Sequence, residues 1–148
     1  MMTSISSLLS DARSFVGLSL EELRRIIGEG AEAVSGDEYG KMEDLTSIEG
    51  QPAFPGTIYL ENGTVALVRI GREALREYRT EELQAQHGTN MLRLRSRAGK
   101  LANLWVSAEQ GIAYSAQGET IHFIEVFRPR TQQEYQAQIY WDPGPFIR

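Results

Sequence analysis

The sequence has no cysteine and only 2 histidines, and just two of its 15 basic residues are lysine (Lys41 and Lys100). Without cysteine there is no disulfide framework, no thiolate nucleophile, no cysteine-held zinc or iron–sulfur cluster and no lipidated thiol. Long apolar runs are missing too, since nothing approaches the roughly 18 consecutive apolar residues that a membrane helix needs. The opening stretch 1–17 lacks a cationic leader and scatters its apolar residues among serines. That is unlike a secretory signal, and a cytoplasmic protein is the expectation. Gly-x-Ser-x-Gly, Gly-x-Gly-x-x-Gly and His-Glu-x-x-His patterns are absent, which removes the usual signatures of a nucleophile elbow, a dinucleotide loop and a zinc protease. Ser96-Arg-Ala-Gly-Lys100 is too short for a phosphate loop.

What is present suits one folded unit, 1–148. The chain has 148 residues, 41% hydrophobic and 24% charged, and a domain of this size buries roughly 70% of its unfolded surface. Its charge of −5 is unevenly spread. Residues 1–50 carry ten acids against four bases, whereas residues 69–100 carry eight bases against four acids. Such asymmetry suits self-association, a partner of complementary charge, or mutual neutralisation within the fold.

Along the chain, 8–16 reads as a short helix ended by Gly17. Ser19 is an N-cap with Glu22 three residues on, and Leu20, Leu23, Ile26 and Ile27 share one helical face up to Gly28. Residues 29–56 read as a long loop with at most a short edge strand at 44–48. Asn62-Gly63 sits between two β-rich runs, 56–60 and 64–70, and predicts a hairpin, because a type I′ turn needs φ > 0 at both central residues. Helical stretches at 72–78 and from Thr80 to Gly88 follow, then strands at 91–96, 101–107, 112–115 and 120–127. A terminal helix over 131–141, capped by Thr131 and Glu134, is closed by Pro143 and Pro145. The expected fold is therefore α+β, with short helices packed on one face of an antiparallel sheet of five to seven strands.

Glu21-Glu22-Leu23 with Gly28 recurs as Glu81-Glu82-Leu83 with Gly88, at a constant offset of 60 residues. Each copy precedes a Gly-turn hairpin, which suggests repeats over 17–71 and 79–128, followed by a C-terminal helix and tail, 129–148. The pattern Ser19–Gly28 and Thr80–Gly88, each ahead of strands such as Ile121-His-Phe-Ile-Glu-Val-Phe127, resembles the helix-plus-sheet repeat of the family that holds the β-lactamase inhibitor protein and the small lipoprotein of outer-membrane assembly. The resemblance spans 17–127 and implies binding of another protein through an exposed sheet face. Lacking cysteine, this chain departs from the family's lipid anchor and disulfides, so secretion and anchoring are not implied.

For chemistry, the spacing of Arg93, Arg95 and Arg97 puts three guanidinium groups on one face of a strand, with Leu92 and Leu94 turned to the core and Lys100 in the following turn. Such a row grips carboxylates of a partner, or stands as a solvated face; at pI ≈ 5.1, and without interleaved stacking aromatics, nucleic acid is the poorer fit. Trp105 is the aromatic most readily placed on an exposed sheet face. Trp141 belongs to an aromatic tail (Tyr135, Tyr140, Phe146) that docks on its own domain or anchors a partner. Glu125 interrupts an aromatic strand face. It is a pocket acid of raised pKa, accompanied by His122 and Tyr114, a structural partner of an arginine such as Arg69 or Arg95, or a carboxylate exposed where the sheet meets solvent. His87 lies in the last turn of its helix, where a cationic ring favours the helix dipole. Neither histidine has metal-ligand company in the sequence, so each reads as a partly buried structural residue, and no metal or cofactor is expected.

The leading expectation is a non-enzymatic protein-binding module, an adaptor, assembly factor, inhibitor or immunity-type protein. It would meet a protein with an acidic surface, or its own copy, through Arg93, Arg95, Arg97, Lys100, Trp105 and Trp141. The alternatives are a small-ligand or enzymatic domain with a pocket at Tyr114, His122 and Glu125, and a structural subunit of a larger complex.

Overall fold

The computed structural model describes residues 4–88 and 91–143. Eight strands form one antiparallel sheet: β1 (Ala33–Tyr39), β2 (Met42–Glu49), β3 (Thr57–Glu61), β4 (Thr64–Gly71), β5 (Leu92–Arg95), β6 (Asn103–Ser107), β7 (Ile112–Gln117) and β8 (Thr120–Phe127), in the order β1-β2-β3-β4-β8-β7-β6-β5. Each half of the chain is a four-stranded meander, and the meanders meet at β4 and β8, where Val68 faces Val126 and Ile70 faces Ile124. A helix pair precedes each meander. These are α1 (Ile5–Phe15) with α2 (Leu20–Ile27), and α3 (Arg72–Leu75) with α4 (Thr80–His87).

Local signals explain most of these boundaries. Ser19 Oγ accepts the Glu22 amide at 3.1 Å while the Glu22 carboxylate accepts the Ser19 amide at 3.0 Å, a reciprocal cap that fixes the start of α2. Asn62 and Gly63 take φ of 53° and 80°, which closes the β3–β4 hairpin. Thr80 is not the cap of α4. It is the first helical residue, and its hydroxyl donates instead to the Gly118 carbonyl at 2.9 Å, while Glu82 accepts the Arg79 amide. The expected 72–78 helix shrinks to the single turn of α3.

Residues 33–49, expected as a loop with at most a short edge strand at 44–48, are the β1–β2 hairpin, and that strand is the inner part of β2, which pairs on both sides. β1 is an edge strand whose residues are exposed or half-buried, so it carries no apolar alternation to read. The sheet consequently has eight strands rather than five to seven.

The two sides of the sheet carry separate cores. On the helix side, Leu8, Leu9, Ala12 and Phe15 of α1 and Leu23 and Ile27 of α2 pack with Ile58, Leu60, Val68, Ile70, Ile124 and Val126. On the other side, α5 (Gln132–Gln138) and the residues after it bring Tyr135, Ile139 and Tyr140 against Leu67, Leu104, Val106, Ala113 and Phe127. Thr131 and Glu134 cap α5 reciprocally at 3.0 and 3.1 Å. Burying apolar area on both sides stabilises the sheet by about 25 cal/mol for each Å² removed from water. The α5 side is therefore partly closed by the chain's own C-terminal segment. No helix among the described residues is long and apolar enough to cross a membrane.

Candidate functional site

On the α5 side, Glu125 of β8 sits nearly buried, at 5% exposure, between two phenols. Tyr135 of α5 donates its hydroxyl to one carboxylate oxygen at 2.6 Å, and Tyr39 at the end of β1 donates to the other in a short hydrogen bond. Three elements thus converge on one acid, with Tyr135 only 10 positions from Glu125 and Tyr39 86 positions away. Burial pushes the Glu125 pKa up, against the opposing pull of the Tyr135 and Tyr39 hydroxyls and the Arg69 charge. Burial, reinforced by the neighbouring Glu125 charge, drives both phenols well above the ordinary tyrosine value. Both tyrosines therefore remain donors across the physiological range.

Arg69 lies directly across from Glu125 in the β4–β8 register. Its guanidinium nevertheless stacks over the Phe123 ring at 4.9 Å and, among the described residues, makes no hydrogen bond and no ion pair within 4 Å. A pocket of about 360 Å³ opens above this floor. Leu104, Ile139 and Tyr140 contribute its apolar lining, and Glu38, Arg97 and Trp141 join the wall. Arg97 stacks over the Trp141 indole at 5.5 Å, and Trp141 is 50% exposed. The tail carrying Trp141 is fastened on both sides, by the Tyr140 hydroxyl donating to the Arg95 carbonyl at 2.9 Å and by Arg95 with Asp142 at 3.5 Å.

The expected constellations are only partly assembled. Glu125 does occupy a pocket, but Tyr114 and His122 do not share it. Tyr114 is paired with Ile124, lies on the helix side and is buried in that core, whereas Glu125 pairs with Ala113 on the opposite side. His122 falls at a register shift where Ser115 faces Phe123 and Ala116 faces Ile121. That extra residue turns Ile121 into the helix-side core, away from Phe123 and Phe127, and buries His122 Nε2 without a hydrogen-bond partner among the described residues.

The arginine row also divides. β5 ends at Arg95, so Arg97 belongs to the following turn. Arg93 pairs with Trp105, which is half-buried against the helix-side core rather than displayed on an open sheet face. Leu92 and Leu94 do pack inward, on the α5 side. Lys100 is exposed and lines a shallow hollow with Arg95 and Asn103 beyond the pocket. The tail docks through Tyr135 and Tyr140, while Pro145 and Phe146 lie outside the described residues.

Sequence reading missed Arg69 and Tyr39 as site residues. Tyr39 sits 86 positions from Glu125 in a strand that was itself unread. Arg69 had been named only as one possible partner for Glu125. Its place in the apolar run 65–70, directly across the seam from Glu125, is the signal that a strand alignment would have supplied.

His87 differs from expectation in charge. Its ring is buried, Arg13 of α1 donates to Nε2 at 2.9 Å, and Nδ1 donates to the Leu83 carbonyl at 3.2 Å. An arginine donor on Nε2 requires the neutral ring, and burial pushes the pKa down, with Arg13 adding to the effect against the Leu83 contact. Among the described residues no three His, Asp or Glu side chains gather as metal ligands. No family model, characterised protein or solved structure matches this chain.

Proposed function

We propose that the chain is a non-enzymatic binding module whose working surface is the rim formed by the end of β5, the 96–102 turn and the tail at 140–142. The observation that carries this reading is the Arg97–Trp141 stack: a half-exposed indole under a guanidinium, held in place by Tyr140 and Asp142. Tryptophan, tyrosine and arginine are the side chains that most often anchor interfaces, and a pre-ordered anchor loses little entropy on binding. Arg97 and Lys100 give the rim positive charge beside the Arg95–Asp142 pair, so the partner is a protein presenting an acidic segment.

The family resemblance supports the same reading, since that family binds proteins through its sheet. So does the order of helix pair and meander in each half, which we read as an internal repeat. The bound surface differs from the resemblance in one respect, because α5 already covers part of the open sheet face.

The test is quantitative capture of partners from the native host by the wild type and by an Arg97→Ala/Trp141→Ala variant. Both residues are exposed, so the melt stays within about 0.5 kcal/mol of wild type. Loss of one specific partner in the variant is the expected result. Equal capture by both forms removes the rim from the account.

A further inference from the structure

The pocket behind the rim has a donor surplus that the protein itself leaves unmet. Each oxygen of Glu125 is already taken by a phenol, one by Tyr39 and one by Tyr135. Arg69 and Arg97, in contrast, each hold the guanidinium over an aromatic ring, at 4.9 Å from Phe123 and 5.5 Å from Trp141, and, among the described residues, have no acceptor. Stacking occupies the face of a guanidinium and leaves its in-plane N–H fork free, and that fork matches the two oxygens of a carboxylate. Both stacked arginines line the same 360 Å³ pocket, which lies near the small end of the roughly 300–1,000 Å³ range of small-ligand sites. Phe123, Tyr140, Leu104 and Ile139 supply its apolar wall, and Glu38 lines it as a second acid beside Glu125.

From these contacts we propose that the pocket binds a small organic monoacid, its carboxylate held by the in-plane donors of Arg69 with Arg97 at the mouth, and its flat apolar body laid against Phe123, Tyr140 and Leu104. A single negative charge is specified because the buried acid at the floor opposes a doubly charged ligand. Glu38, a second acid in the pocket lining, adds to that opposition. This site goes beyond the protein-binding reading, because Arg69 lies on the pocket floor, behind the rim.

The experiment is a calorimetric titration of the full chain with benzoate, phenylacetate and cinnamate. Controls are their uncharged amides, benzylamine and inorganic phosphate. At least one acid binds, and its amide binds about tenfold more weakly or worse. Arg69→Gln weakens the acid by a similar factor while leaving Arg97 and Trp141 in place, so partner capture persists. Should Arg69→Gln fail to fold, Arg97→Gln, a change at an exposed turn position, carries the same expectation with a smaller loss. The proposal is overturned if no acid binds below about 10 mM, or if amides match their acids. Tighter binding of benzylamine overturns it in favour of Glu125 as the recognising charge, and tighter binding of phosphate overturns it in favour of an inorganic-anion site. An Arg69→Gln variant that folds and binds the acid unchanged also overturns it.

Discussion

Glu125 and His87 are the two side chains whose surroundings set an opposite dependence on pH. The Glu125 pKa is raised above its ordinary value near 4.5. Folding therefore favours the protonated acid, and the stability it contributes is complete below that value and declines as pH rises through the native pKa. For His87 the native pKa lies below the ordinary 6.5, so its contribution is complete above 6.5 and declines as pH falls from there. In denaturant titrations across pH 4 to 8, Glu125→Gln is expected to remove the loss of stability on the alkaline side of the glutamate range. His87→Gln is expected to flatten the loss below 6.5. A wild-type profile with neither slope would contradict both assignments. Tyr135→Phe removes one donor from a nearly buried carboxylate and is expected to cost about 1–3 kcal/mol, read from the same denaturation curves. Neither environment was legible in the sequence, because one partner of each comes from a distant element: Tyr39, 86 positions from Glu125, and Arg13, 74 positions from His87.

Elements were legible where their own periodicity or punctuation dictated them. The reciprocal caps of α2 and α5 and the Asn62-Gly63 turn depend on neighbours within four residues, and they stand where the sequence placed them. β1 was unreadable because an edge strand with exposed residues has no buried face to impose alternation. α5 was readable as a helix, but its docking side was not, since the apolar stripe of Tyr135 and Ile139 fits either side of a sheet. Its seat is fixed by close contact at the β1–β2 turn. Gly40 has φ of 58°, and a Cβ there would come within 1.7 Å of the Ile139 carbonyl oxygen. Gly40→Ala is therefore expected to push α5 off the sheet. It should destabilise by more than Ile139→Ala, which truncates one buried side chain for about 2–5 kcal/mol. Equal or smaller loss for Gly40→Ala, measured by chemical denaturation, would show that α5 is not held at that turn.

At the scale of the molecule, the two meanders share one sheet across the β4–β8 seam, and both cores run through it. The expectation is one cooperative transition, with tryptophan fluorescence from Trp105 and Trp141 coinciding with backbone dichroism. Ile124→Ala at the seam should lower that transition by about 2–5 kcal/mol without splitting it. The α+β class was visible in the sequence, since it rests on local pattern, whereas the first meander was visible chiefly as its β3–β4 hairpin. The division of the arginines was not visible, because β5 ends at Arg95, two residues short of Arg97, and the tail that captures Arg97 lies more than 40 positions downstream.

The central claim, that this molecule works through the rim at β5 and the tail, is tested most directly by hydrogen exchange on the complex with the captured partner. Slowed exchange is expected to be confined to 95–102 and 139–143, and to be lost with Arg97→Ala/Trp141→Ala. Protection that falls instead on α1 and α2, or that survives the double substitution unchanged, would contradict it.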